Sequence, residues 1–189
     1  VDVDYLSYTN SEWRTSVRRV AVQPDGKILA VGVFNVVNNS LRDSIVRFNA
    51  DGTLDTSFNP PALARFTGNS YLEIAALALQ ADGKILIGGN FVTTGTVRTS
   101  ALARLNADGS LDPTFNTNQT SQVIGGTVFD IDVATDGKIV VSGNINASGR
   151  TEVARLFSNG TLDTSFNPAL PQTGDPTGLD VLVQPDGKV

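Results

Sequence analysis

Val22-Gln23-Pro24-Asp25-Gly26-Lys27-Ile28-Leu29 is followed by Arg47-Phe48-Asn49-Ala50-Asp51-Gly52-Thr53-Leu54-Asp55-Thr56-Ser57-Phe58-Asn59, and this pair of signatures returns along the chain. The second copy reads Leu79-Gln80-Ala81-Asp82-Gly83-Lys84-Ile85-Leu86, then Arg104-Leu105-Asn106-Ala107-Asp108-Gly109-Ser110-Leu111-Asp112-Pro113-Thr114-Phe115-Asn116. A third holds Asp136-Gly137-Lys138, Arg155 and Asn159-Gly160-Thr161-Leu162-Asp163-Thr164-Ser165-Phe166-Asn167, and Asp186-Gly187-Lys188 opens a fourth. Successive Asp-Gly-Lys turns lie 57, 54 and 50 residues apart. Residues present in every unit of such an array serve first to build the unit.

Each Asp-Gly turn separates two apolar stretches of strand length: 17–22 from 28–33, 74–79 from 85–89, and 128–134 from 139–143, with 179–183 preceding the fourth turn. These read as β-hairpins. Glycine supplies the positive φ of the short loop, and the aspartate bonds the backbone beside it. The second strands, such as Ile28-Leu29-Ala30-Val31 and Ile85-Leu86-Ile87, are apolar on both faces and must be covered on both sides. A third strand is expected at 44–49, 101–106 and 152–157, closed by the turns at Gly52, Gly109 and Gly160. Polar loops at 35–43 and 146–151 differ most between copies and are where recognition would be placed. The Pro- or Gly-bearing linkers 60–70, 117–126 and 168–178 show no strong strand pattern.

The fold this predicts is all-β: a β-propeller of about three complete blades plus the start of a fourth. A parallel β-helix is the competitor, but its coils are about half this length or less and would not need two glycine turns per unit. Propeller rings take about four to eight blades, so the remainder of the ring is expected outside this segment. The units divide as an edge segment 1–16, repeats at 17–70, 71–126 and 127–178, and the start of a fourth at 179–189.

Among 189 residues there is no Cys and no His. Thiolate nucleophiles, Cys-based metal sites, Ser-His-Asp machinery and imidazole bases are thereby excluded together. A net charge of −5 argues against a nucleic-acid partner, and only Arg18-Arg19 is locally basic. No apolar run reaches the length of a membrane span, and the absence of Met fits a segment cut from a longer chain.

The two linked signatures, in three copies covering nearly all of the chain beyond its first dozen residues, resemble the delta-60 repeat family. The third copy departs at Ala134-Thr135 and Ser158-Asn159, which leaves its turns intact. The resemblance implies a propeller-like module of large secreted or surface-attached bacterial proteins, some exported by the type IX pathway. It implies an extracellular or cell-surface location and no defined catalytic activity.

The repeat positions singled out as structural are Asp25, Gly26, Arg47, Gly52, Asp55 and Phe58; Asp82, Gly83, Arg104, Gly109, Asp112 and Phe115; and Asp136, Gly137, Arg155, Gly160, Asp163 and Phe166. Arg47, Arg104 and Arg155 share a strand face with Ile45, Leu102 and Val153, so their guanidinium groups need acceptors near the core. The expected partner is the aspartate at 55, 112 or 163 of the same unit, and the alternative is a ring of arginines reading an anion. Phe58, Phe115 and Phe166 read as plugs between blades. Lys27, Lys84, Lys138 and Lys188 follow tight turns and are expected to face solvent. Gly32, Gly89 and Gly143 would let backbone approach backbone.

No cofactor is expected. Calcium is the alternative, since Asp51 with Asp55, and Asp108 with Asp112, flank a glycine, yet two carboxylates fall short of a full ligand set and Asn159 replaces the first in the third copy. Carboxylates outside the repeat pattern are Glu73, Asp130, Asp132 and Glu152. Asp43-Ser44-Ile45 resembles a short O-glycosylation acceptor, and Tyr5, Tyr8 and Trp13 lie outside the repeats where a sugar could stack, an edge-covering strand being the plainer role. The expected function is a non-catalytic interaction module, adhesin-like, presenting loops to proteins or glycans, with further repeats of the same polypeptide and the surface-anchoring machinery as partners. The alternatives are a polysaccharide-active propeller enzyme using converging carboxylates and a calcium-stabilised adhesin module.

Overall fold

The computed structural model describes residues 3–4, 16–38, 40–65, 72–94, 99–115, 125–146, 152–168 and 180–189, all as strands, turns or irregular backbone. Three antiparallel blade sheets succeed one another, each with its second strand in the middle, and a small fourth sheet is formed by Val3–Asp4, Val36–Val37 and Ser40–Leu41. The first joins Ser16–Val22, Ile28–Val33 and Ile45–Phe48. The second joins Glu73–Leu79, Ile85–Thr93 and Ser100–Leu105, and the third Gly125–Val133, Ile139–Asn146 and Val153–Leu156. After the second turn of each unit the chain folds back for a single bridge, Leu54 on Phe48, Leu111 on Leu105 and Leu162 on Leu156, which gives every blade a one-residue outer strand.

Both turns of a unit have the same construction. Gly26 N–H donates to Gln23 O, Gln23 N–H donates to Lys27 O, and Lys27 N–H donates to the Asp25 carboxylate. Gly52 N–H likewise donates to Asn49 O, and the Asp51 carboxylate accepts from the amide and hydroxyl of Thr53. This is a type I turn followed by a left-handed residue, a loop that suits the twist of the flanking strands. Gly26 and Gly52, at φ 82° and 83°, fill the left-handed positions.

The first strands carry a bulge at a common place, between Val17 and Arg19, Ile74 and Ala76, and Val128 and Asp130. Opposite it stand Gly32, Gly89 and Gly143. A Cβ at Gly89 would lie 2.2 Å from the carbonyl oxygen of Glu73, so the close approach of backbones expected here is real.

The core lies between blades. Leu29, Val31, Ile45 and Phe58 of the first unit pack with Ile74, Ile85, Ile87, Ala103 and Leu105 of the second. Leu86, Leu102 and Phe115 of the second pack with Val128, Ile131, Ile139 and Leu156 of the third. The central strands are buried on both faces, as their unbroken Ile-Leu-Val runs require.

Several local expectations need correction. The loop 35–43 is not simply polar and exposed: Val36–Val37 and Ser40–Leu41 pair as a short hairpin, and Val36 and Val37 are buried. Val3–Asp4 joins its edge, while Tyr5, Tyr8 and Trp13 lie outside the described residues. The linker 60–70 contains the strand Leu63–Ala64, which pairs with Val92 and Thr93 of the second sheet. The third unit's first strand begins at Gly125, inside the expected linker. Residues 180–183 form no strand in the described structure. Ser44 is buried, with its hydroxyl directed to Phe34 O, so it offers no accessible glycosylation acceptor.

Candidate functional site

The repeated polar residues converge on one cluster per blade. Asp55 Oδ2 accepts from Arg47 Nε at 2.8 Å and from Lys27 Nζ at 3.0 Å, while Oδ1 accepts from the amide and hydroxyl of Ser57. Asp112 repeats the arrangement with Arg104 at 2.8 Å, Lys84 at 2.7 Å and Thr114. In the third blade Arg155 Nε meets Asp163 at 2.9 Å, and Lys138 pairs with Asp136 of its own turn. Lys27 and Lys84 therefore do not project into solvent as the turn position suggested. Their stems bend back over the sheet so that the ammonium reaches a buried carboxylate.

The guanidinium also lies over the phenylalanine of its own unit, with Cζ to ring-centre distances of 4.6 Å for Arg47 on Phe58 and Arg104 on Phe115, and 4.5 Å for Arg155 on Phe166. Stacking and ion pairing together fix the planar group. Its other end crosses to the following blade: Arg47 Nη1 donates to Ala107 O, and Arg104 Nη1 to Ser158 O. Phe58 closes the same junction by resting on the turn at Gly109, beside a 3.0 Å bond from Asn59 N–H to Asp108 O. The Arg-Asp pairing was legible from the chemistry of a buried arginine. The inter-blade bond was not, because it joins an arginine to a main-chain oxygen in another unit.

The electrostatics follow from these bonds. The Ser57 hydroxyl, with Lys27 and Arg47, holds Asp55 well below the usual carboxylate range against the opposing effect of burial. Burial pushes Asp112 upward, but Lys84 and Thr114 outweigh it and its net displacement is also downward. Asp163 is lowered chiefly by Ser165. These carboxylates are ionised at neutral pH, and donors already surround the oxygens of Asp55 and Asp112. Among the described residues no three acidic side chains gather as cation ligands.

A second set of charges sits on the first strands and departs from the repeat. Arg18 Nε donates to Glu73 Oε1 at 2.6 Å, joining the first and second units. Arg19 reaches past the second unit to Asp130 at 3.7 Å and Asp180 at 3.4 Å. Asp130 and Asp132 accept from the amides of Val181 and Val183 at 2.9 and 2.6 Å, so alternate carboxylates of one strand hold alternate amides of the next segment. Glu73, Asp130 and Asp132 were visible as breaks in the pattern, and Arg18-Arg19 as the single basic pair. Their meeting depends on the curvature of the array. Glu152 is half-buried on the third sheet, outside this set.

Small antiparallel sheets packed one on the next and joined by arginine bonds to main-chain carbonyls of the following unit define a β-propeller repeat protein. The chain belongs to the family described as a domain of unknown function, the DUF5122 beta-propeller, whose model matches residues 23–58, 80–115 and 134–166. No curated protein matches the chain.

Proposed function

We propose that the chain is a non-catalytic interaction module, adhesin-like and of the delta-60 repeat kind, within a larger secreted or surface-attached bacterial protein. Export through the type IX pathway belongs to the same reading. The observation that carries it is the division of labour between residues. Those that repeat are consumed in building blades, whereas the hairpin of Val36–Val37 with Ser40–Leu41 lies in a loop whose sequence differs between copies, and its end forms a cleft with the segment 59–62. Leu41, Arg42, Asp43, Pro60 and Pro61 line that cleft, and Leu41 is 71% exposed. An exposed aliphatic beside an arginine, an aspartate and two prolines suits a protein loop or the apolar face of a sugar.

The test is binding of the full chain to arrays of purified glycans and surface proteins, with Leu41→Asp as the variant and release of reducing ends as the control readout. Saturable binding weakened about tenfold by Leu41→Asp, without reducing ends, supports the module. Reducing-end release abolished by Asp130→Asn would replace it with the carboxylate enzyme.

A further inference from the structure

A second cavity adjoins the Leu41 cleft at Asp43. The first, of about 320 Å³, lies between the hairpin end and the segment 59–62, with Leu41, Arg42, Thr56, Asn59 and Pro60 on its walls. The second, of about 290 Å³, lies between the same loop and the segment that descends to the second sheet, with Asn35, Leu63, Ala64, Arg65 and Leu72 on its walls. Asp43 lines both. Each is near the lower end of the volumes that house small ligands, about 300 Å³, and so accommodates one small group.

Main-chain bonds hold both walls of this groove. The Arg42 and Ser44 amides donate to Asn35 O and Phe34 O at 2.8 and 2.9 Å, closing the loop at its base. Opposite, Ala62 O accepts from Thr94 N–H at 3.0 Å, and Leu63–Ala64 pairs with Val92 and Thr93. A groove built in advance loses little freedom when it is filled. Its polar groups, by contrast, are uncommitted. Arg18, Arg19, Arg47, Arg104 and Arg155 each reach a carboxylate, whereas Arg42 donates only to Leu41 O. Among the described residues, the side chains of Asp43, Thr56 and Asn59 make no hydrogen bond or ion pair. Counted back from the repeat arginine, Asp43 stands where the second copy has the buried Ser100, and Pro60-Pro61 where it has Thr117-Asn118.

We propose that the two cavities are adjacent subsites for a neutral oligosaccharide, with Asp43 between them accepting from hydroxyls of neighbouring sugar residues. Leu41 and Pro60 form a ledge for the apolar face of the first ring, and Arg42, Thr56 and Asn59 bond its edge. A polyhydroxylated ligand suits these groups because a guanidinium, a carboxylate and an amide each offer several donors or acceptors to adjacent hydroxyls. The unpaired charges of the first cavity, Arg42 and Asp43, cancel, and the chain as a whole carries −5, which disfavours a polyanionic glycan. A protein partner is disfavoured because the aromatic residues of the groove offer no anchor, Phe34 and Phe58 being 1% and 4% exposed. The proposal rests on the interaction-module reading and narrows its ligand to one class, at least two sugar residues long.

Calorimetric titration of the full chain with glucan, mannan, galactan and chitin fragments of one, two and four sugar residues tests it, with oligogalacturonates as the anionic comparison. At least one neutral disaccharide is expected to bind about tenfold or more tightly than its monosaccharide, and Asp43→Ala to remove that gain with the urea midpoint unchanged. Equal affinity for one and two sugar residues, preference for the galacturonates, or a gain that survives Asp43→Ala overturns the proposal. Absence of binding to every fragment overturns it too. In that case, binding to surface proteins that is lost in Leu41→Asp keeps the interaction module, and its absence removes the module as well.

Discussion

Arg104 donates through Nε to Asp112 of its own blade at 2.8 Å and through Nη1 to Ser158 O of the next at 2.5 Å. One guanidinium thus settles a buried carboxylate and couples two sheets that share no strand. Removing it leaves Asp112 with Lys84 as its remaining charged partner. Breaking a buried pair from one side costs about 3–5 kcal/mol, so Arg104→Ala should lower unfolding stability by that order. The arginine of the third blade, with a 21% exposed side chain, is better hydrated, and Arg155→Ala should cost less than half as much. Urea unfolding of the two variants measures the difference; equal losses would show that burial is not what sets the cost.

Phe115 is 2% exposed in the core between the second and third blades, while Phe166 remains half-buried. Phe115→Ala should therefore cost about 3–5 kcal/mol through lost burial and a cavity, and Phe166→Ala about half of that. The comparison is read from denaturant midpoints at matched slope. A larger effect at Phe166 would contradict the plug role.

Two glycines should fail for different reasons. Gly83, at φ 82°, has no neighbour near a built Cβ, so Gly83→Ala meets only the left-handed backbone penalty of about 1–2 kcal/mol. Gly89→Ala places a methyl 2.2 Å from Glu73 O and must spread the first two strands of the second blade. Its destabilisation should exceed about 3 kcal/mol, with amide exchange accelerated at Ile74–Ala76. An order reversed in thermal melts would refute the close-approach reading.

Acid should weaken the fold in a defined direction. Asp55, Asp112 and Asp163 all titrate below their ordinary value in the folded chain. The unfolded chain consequently binds protons first. The stability these groups confer is complete above the unfolded value of about 4 and is lost as pH falls through the folded values. Urea midpoints should be flat from pH 7 to about 5 and fall steeply below about 4, and Asp112→Asn should be less stable at pH 7 but show a shallower acid slope. A slope unchanged in that variant would exclude Asp112 as a contributor.

Chelation should leave the melting temperature unchanged. Arg47, Lys27 and Ser57 already occupy the Asp55 oxygens, and the corresponding donors occupy those of Asp112. A shift below about 1 °C with excess chelator is the expected result, since a tightly bound structural ion would produce a much larger one.

By itself the sequence determined the blade. Asp-Gly turns, doubly apolar central strands and the Arg-to-Asp spacing are local signals, because turn chemistry, strand period and the need to pair a buried charge act within a few residues or one hairpin. The Arg47–Asp55 and Arg104–Asp112 pairs were legible for that reason, as were the inter-blade phenylalanines. Only the tertiary structure decided which blade residues touch their neighbours. Arg47 reaching Ala107, Arg19 reaching Asp130 and Asp132 holding Val183 all depend on how sheets stack and curve, and curvature sums small rotations that no single segment encodes. Lys27 was misread for a reason internal to the blade: its turn is solvent-facing, but the carboxylate that recruits it comes from beyond the second turn of the same unit.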